Sequence, residues 1–158
     1  MTPDFAIQGL GPHASTSLAL LSHPGATYIR GASAVGKSWL IDALCLLLTG
    51  TAPDGKAFNR AAINDDAERC VVQAAIAGLG VIQTGLGREG SPAFAITAGG
   101  ATEKPKSREA FTAKLGVLAD RPALTRFVLA PMLFAKLIDD GKCGRTLRDL
   151  LLSALPEQ

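Results

Sequence analysis

Eight consecutive residues, Gly31, Ala32, Ser33, Ala34, Val35, Gly36, Lys37 and Ser38, have the types and spacing of a phosphate-binding loop. Two glycines separated by four residues, then lysine and a hydroxyl, make up the P-loop pattern. Each position has a physical reason. Phosphate oxygens must come close to the backbone, and glycine at Gly31 and Gly36 leaves that approach open and tolerates positive φ. Successive backbone N–H groups then point into one concavity, an anion nest. A helix starting at Lys37 adds roughly half a positive charge at its mouth. Lys37 supplies an ammonium for the β- and γ-phosphates, and the Ser38 hydroxyl is suited to magnesium. The expected ligand is therefore a purine nucleoside triphosphate, ATP with Mg, held by residues 31–38. Trp39 adjoins the loop, with packing beneath it favoured over stacking on a base.

Such a loop binds, but hydrolysis calls for an acidic residue at the end of another hydrophobic strand. Asp42 lies within the loop's own helix, and Asp65-Asp66 precedes a strand. Asp139-Asp140 follows a segment of helical spacing that contains Lys136. None of these is a good magnesium-holding acid, and no Ser-Gly-Gly-type signature is present. No catalytic residue is identified, so the chain is expected to hold half of an active site.

The elements that must position the loop are short. Strands are predicted over residues 5–10, 16–21 and 26–30, with Gly11, Pro12 and His13 separating the first two and Pro24-Gly25 preceding the third. Residues 37–48 are apolar nearly all round, as in a helix buried on most sides, and Gly50 should stop it. Residues 51–64 are polar, carry Pro53, Asp54 and Gly55, and are predicted to be an exposed loop. Strands over 68–77, 81–86 and 93–97, with glycine-rich turns at 78–80 and 87–92, predict an antiparallel meander. Another loop is expected through Gly99-Gly100 and residues 102–106. Ser107 is placed to cap a helix over 108–118, with Glu109 in its first turn. Short helices should follow Asp120 and Pro122, ending with one over 145–155.

With 158 residues the chain suits one domain. Apolar residues are 47% of it and charged residues 19%, enough for a core built from Ala, Leu, Ile and Val because aromatics are only 5%. A net charge of +2 does not by itself imply a nucleic-acid partner. Cys45, Cys70 and Cys143 are too widely spaced for a zinc knuckle or redox pair, and read as reduced thiols, two of them buried. Residues 39–48 are too short to span a bilayer and are interrupted by Asp42. A cytoplasmic protein without a membrane partner is expected.

The order of these features resembles the N-terminal lobe of an SMC/SbcC/RecN-type ATPase head, particularly its short phage and prophage members. The P-loop carries the resemblance most specifically. The apolar-Gly step Leu47-Leu48-Thr49-Gly50, the meander, the 127–135 segment and the Arg- and Leu-rich 145–152 segment agree in order and pattern. The resemblance implies an α/β fold: a P-loop NTPase lobe with a mixed sheet around the P-loop helix, an antiparallel meander and a small helical subdomain. Residues 1–158 would form that single lobe, with sheet and P-loop helix in about 1–100 and the helical part in about 107–158. It further implies an ATP-binding lobe acting in DNA repair, recombination or phage DNA metabolism, completed by a C-terminal lobe or a protein partner. A lobe cut from a longer chain, a split protein and a degenerate ATPase each fit. The family's Q-loop glutamine would fall near Pro131, which cannot replace it, and its arginine near Asn64 or Arg60, the latter from a mobile loop.

Other candidates carry less. His13 and His23 read as turn residues, although the resemblance leaves residues 13–15 open as base contacts. Arg30 fits a solvated strand end at least as well as a nucleotide contact. Lys104, Lys106 and Arg108, like Lys142, Arg145 and Arg148, could meet DNA phosphates. Acidic residues lie among them, so a solvated mixed-charge face is favoured. Two alternatives remain: a complete small P-loop kinase or phosphotransferase using Arg121, Arg126, Arg145 and Arg148 as a lid, and a non-catalytic P-loop interaction protein.

Overall fold

The computed structural model describes residues 4–19, 29–32, 35–52 and 56–115. The predicted 145–155 helix, the 127–135 segment, Cys143, His23 and most of the 26–30 strand lie outside the described residues. So do Ser33 and Ala34.

Six strands form one sheet: β1 (Phe5–Leu10), β2 (His13–Leu18), β3 (Arg69–Ile76), β4 (Gly80–Gly87), β5 (Ala93–Ala98) and β6 (Ala101–Glu103). Their spatial order is β2-β1-β3-β4-β5-β6. Every pairing between these strands is antiparallel. A further strand is expected over 26–30. Of its residues only Ile29 and Arg30 are described, and they are not in a strand.

Period-two alternation gives the sheet one apolar face. Phe5 and Ile7, Cys70, Val72 and Ala74, Ile82 and Leu86, and Phe94 and Ile96 are all buried on it. In β1 the alternation changes phase at Gly9, where φ is 64°. The left-handed residue lets Leu10 turn inward, and Leu10 is fully buried.

Helix α1 (Lys37–Thr49) lies on this face and buries Leu40, Ala43, Cys45, Leu46 and Leu47. Gly50, with φ 66°, ends it, and its N–H bonds the Leu46 carbonyl. Helix α2 (Arg108–Leu115) begins as expected, with Ser107 Oγ accepting from Ala110 N at 3.1 Å. It docks through Phe111 and Leu115.

Three expectations are corrected. β2 begins at His13 rather than residue 16, because the β1–β2 turn needs only Gly11 and Pro12: Leu10 already pairs with His13. Gly11, at φ 53°, supplies the positive φ that a tight hairpin needs at its first central position. The 99–106 loop contains β6, since Gly99 and Gly100 both adopt positive φ and close a two-residue hairpin between Ala98 and Ala101.

The third correction concerns residues 51–64, which are not simply an exposed loop. Thr51, Phe58 and Ile63 are buried. Asn59 Oδ1 caps a short 3-10 helix, Arg60–Ala62, and Ile63 forms a bridge with Leu10. Its two apolar side chains anchor an otherwise polar segment to the core.

Candidate functional site

The phosphate-loop residues gather where α1 opens. Gly36 is the helix N-cap, at φ 92° and ψ 19°, and no side chain caps the helix there. The first-turn amides of a helix have no partners within it. Among those here, Trp39 N turns back to the Gly36 carbonyl at 3.0 Å. Lys37 Nζ donates to the carbonyls of Gly31 at 2.9 Å and Ala32 at 2.5 Å. The ammonium thus lies across its own loop. Val35 and Ser38 are exposed at the same mouth.

These residues fit a bound polyphosphate with magnesium. A Cβ on Gly31 would stand 3.0 Å from Val35 Cγ2, and one on Gly36 would be 2.6 Å from Pro12 Cγ. Gly36, with its positive φ and close neighbours, has no room for a side chain, whereas a Cβ on Gly31 would press only on the exposed Val35 side chain. The amide-rich mouth and the Lys37 ammonium suit phosphate oxygens, and the exposed Ser38 hydroxyl is a hard oxygen donor suited to magnesium.

The loop rests on the β1–β2 turn. A Cβ on Gly11 would meet the Trp39 ring at 2.6 Å, so the indole lies directly against that turn. Trp39 is half-buried and packs against the core. His13 Nε2 lies 3.0 Å from the Gly36 carbonyl, and its Nδ1 lies 2.9 Å from Thr16 Oγ1. His13 is therefore not an ordinary turn residue.

Behind the turn, Asn64 Nδ2 donates to the Gly11 carbonyl at 2.9 Å. Asn64 N donates to Gly9 O, and Gly11 N to Ala62 O. Arg88 holds this layer from the far side, donating to the carbonyls of Asn64, Asp65 and Ala67. None of these supports is visible in the sequence, because the bonds join residues from 21 (Arg88 and Ala67) to 55 (Asn64 and Gly9) positions apart. The Gly-Pro turn just before His13 was the only local signal.

Arg60 is anchored, not on a mobile loop: its guanidinium donates to Gly87 O at 3.0 Å and also to Gly90 O. It lines a cavity of about 500 Å³ with Gly50, Phe58, Lys106, Arg108 and Glu109. That cavity is at the opposite end of α1 from the phosphate loop. Arg108 and Glu109 approach to 3.9 Å at its rim, so the face carries both charges, as expected.

Asp42 is one turn beyond Ser38 and lines a smaller cavity with Trp39, Phe58 and Asn59. Burial raises its carboxyl above the ordinary value. Asp65 and Asp66 are exposed in the turn preceding β3. Among the described residues, no three His, Cys, Asp or Glu side chains cluster as metal ligands.

Residues 14–65 match the family described as the P-loop containing region of AAA domain. A solved chain from work on ATP-driven dimerization and DNA-stimulated activation of SMC ATPases shares the fold. Its TM-score is 0.56 at 17% identity, over 87% of this chain and 97% of that one. This is an SMC-like P-loop fold. No curated protein matches the sequence. The P-loop match spans β2, α1 and the 3-10 segment that supports the β1–β2 turn. Among the described residues, no helix is long and apolar enough to cross a membrane.

Proposed function

We propose that this chain is the nucleotide-binding lobe of an SMC-like ATPase. Residues 31–38 receive the phosphates of ATP: Gly31 and Gly36 clear the approach, backbone amides and Lys37 neutralise charge, and Ser38 holds magnesium. Bound magnesium would offset phosphate charge. The observation that carries this reading is the Lys37 ammonium lying across a loop that opens onto the uncapped mouth of a buried helix. Trp39 borders the nucleotide site mainly as packing for the loop.

The hydrolytic site is completed by a second lobe or a partner chain. Asp42, Asp65 and Asp66 are not placed at the end of a buried hydrophobic strand, where a catalytic magnesium acid is expected. The ATP-driven dimerization described for the structural relative supports the same view. The DNA stimulation described with it supports a role in DNA repair, recombination or phage DNA metabolism. A cytoplasmic setting accords with the buried thiols of Cys45 and Cys70. The whole 1–158 chain acts as one lobe.

Calorimetry with Mg·ATP tests the binding. The unchanged chain should bind, and Lys37→Ala should weaken binding by about tenfold or more, the scale of one charge-assisted contact. A folded chain that releases no heat at millimolar Mg·ATP would rule the proposal out. Turnover should be slow alone and rise when the complementary lobe is added.

A further inference from the structure

We infer that His13 is a positioning residue for the phosphate loop, fixing the direction in which the Lys37 amide points. This rests on the phosphate-loop reading above.

The inference starts from what each atom can do. A carbonyl oxygen only accepts, so the 3.0 Å contact between His13 Nε2 and Gly36 O requires a hydrogen on Nε2. In the neutral ring Nδ1 is then an acceptor, and the Thr16 hydroxyl, 2.9 Å away, is its donor. The Gly36 carbonyl thus selects the Nε2–H tautomer, and the Thr16 hydroxyl, able to donate or accept, satisfies the other ring nitrogen and holds the ring in place. If the ring is protonated, Nδ1–H donates to the same Thr16 oxygen and the bond to Gly36 is kept.

The Gly36 carbonyl and the Lys37 N–H belong to one trans peptide unit, in which the two groups point in opposite directions. Drawing the carbonyl toward His13 aims the Lys37 amide away from the β1–β2 turn, toward the mouth of α1. That amide opens the nest. Gly36, in the left-handed region, has no Cβ to restrict its peptide; Trp39 N already bonds its carbonyl from inside the helix, and His13 adds a second hold from the sheet. The neighbours of Gly36 are close: a Cβ there would meet His13 Nε2 at 2.7 Å as well as Pro12.

The turn is itself pinned. Asn64 holds the Gly11 carbonyl, and the tight β1–β2 hairpin puts His13 in register with Leu10. His13 thus carries the position of an edge strand of the sheet into the peptide that begins the anion nest. Preorganised amides bind charge without a reorganisation cost, so losing this hold should weaken phosphate binding without removing the P-loop itself.

Two variants separate positioning from mere packing. The amide nitrogen of glutamine can reach where Nε2 stands, whereas that of asparagine reaches only as far as Nδ1. In the nucleotide-free full chain, the ¹H–¹⁵N resonance of Lys37 should move in His13→Asn and return toward its original place in His13→Gln. Affinity for Mg·ATP should fall about 3- to 10-fold in His13→Asn, the range of one lost neutral hydrogen bond, and recover largely in His13→Gln. Thr16→Val, which removes the partner of Nδ1 from an edge strand and so loosens the ring, should give a smaller loss in the same direction and guards against a misfolded His13 variant. An unmoved Lys37 resonance with unchanged affinity in His13→Asn, while Lys37→Ala still loses binding, would overturn this inference alone. No binding by the unchanged chain would overturn the phosphate-loop reading and this inference with it.

Discussion

Thr84 Oγ1 on β4 donates to the Leu47 carbonyl on α1 at 3.1 Å, and the Thr84 side chain is wholly buried. Leu47 is in the last turn of the helix, where carbonyls have no partner farther along it. Thr49 Oγ1 answers the Cys45 carbonyl and Gly50 N the Leu46 carbonyl. Thr84 supplies a bond to a third of these carbonyls from the sheet, so one hydroxyl both serves the helix end and ties α1 to β4.

Thr84→Val keeps the shape and leaves a buried carbonyl unsatisfied. It should cost about 1–3 kcal/mol, read as a lower denaturation midpoint with an unchanged slope in urea. No loss would mean that the Leu47 carbonyl finds another donor.

Phe94 and Phe111 stack with ring centroids 4.7 Å apart and planes inclined by 22°. Phe111 is fully buried and is the main anchor of α2. Phe111→Ala should destabilise the chain by about 3–5 kcal/mol. Hydrogen exchange should show residues 108–115 losing protection before the β3–β4 pair does.

Gly36→Ala and Gly78→Ala test the loop's steric demands against backbone strain alone. Both positions have positive φ, 92° and 81°. A Cβ on Gly78 meets nothing within 4 Å, whereas one on Gly36 runs into Pro12 and His13. Gly78→Ala should cost only the left-handed penalty of about 1–2 kcal/mol. Gly36→Ala should cost more and also abolish Mg·ATP binding, measured by thermal melting and calorimetry.

Asp42 gives a pH signature. Burial raises its carboxyl above the ordinary 3.8, so the folded state holds its proton more tightly than the unfolded state. Stability from that proton is fully present below about pH 4 and is lost as pH rises through the raised value. Asp42→Asn should therefore match the unchanged chain near pH 4 and exceed it at pH 7. The gain in melting temperature should be roughly 2–4 °C per kcal/mol relieved. Equal melting curves at pH 7, without nucleotide or magnesium, would contradict this.

Much of the fold was legible locally. The bounds of β1, α1 and the meander follow from apolar runs cut by glycine, and Ser107 marked the start of α2 as an N-cap should. Misplaced boundaries came from turn chemistry. Gly11-Pro12 and Gly99-Gly100 read along the sequence as openings of longer loops, although two residues able to adopt hairpin angles suffice to reverse a chain. The mean polarity of residues 51–64 masks Phe58 and Ile63, and two buried side chains are enough to dock a polar stretch.

By itself the sequence determined the loop from Gly31 to Ser38 and the buried helix after it. Glycine placement, a lysine and a hydroxyl are local chemical requirements, written in consecutive residues. Tertiary structure alone decided what holds that loop in shape: His13 against Gly36, Trp39 beneath Gly11, and Asn64 and Arg88 behind the turn. Hydrogen bonds and close contacts across such separations depend on strand register and on how a helix lies on a sheet, and no spacing along the chain encodes those distances.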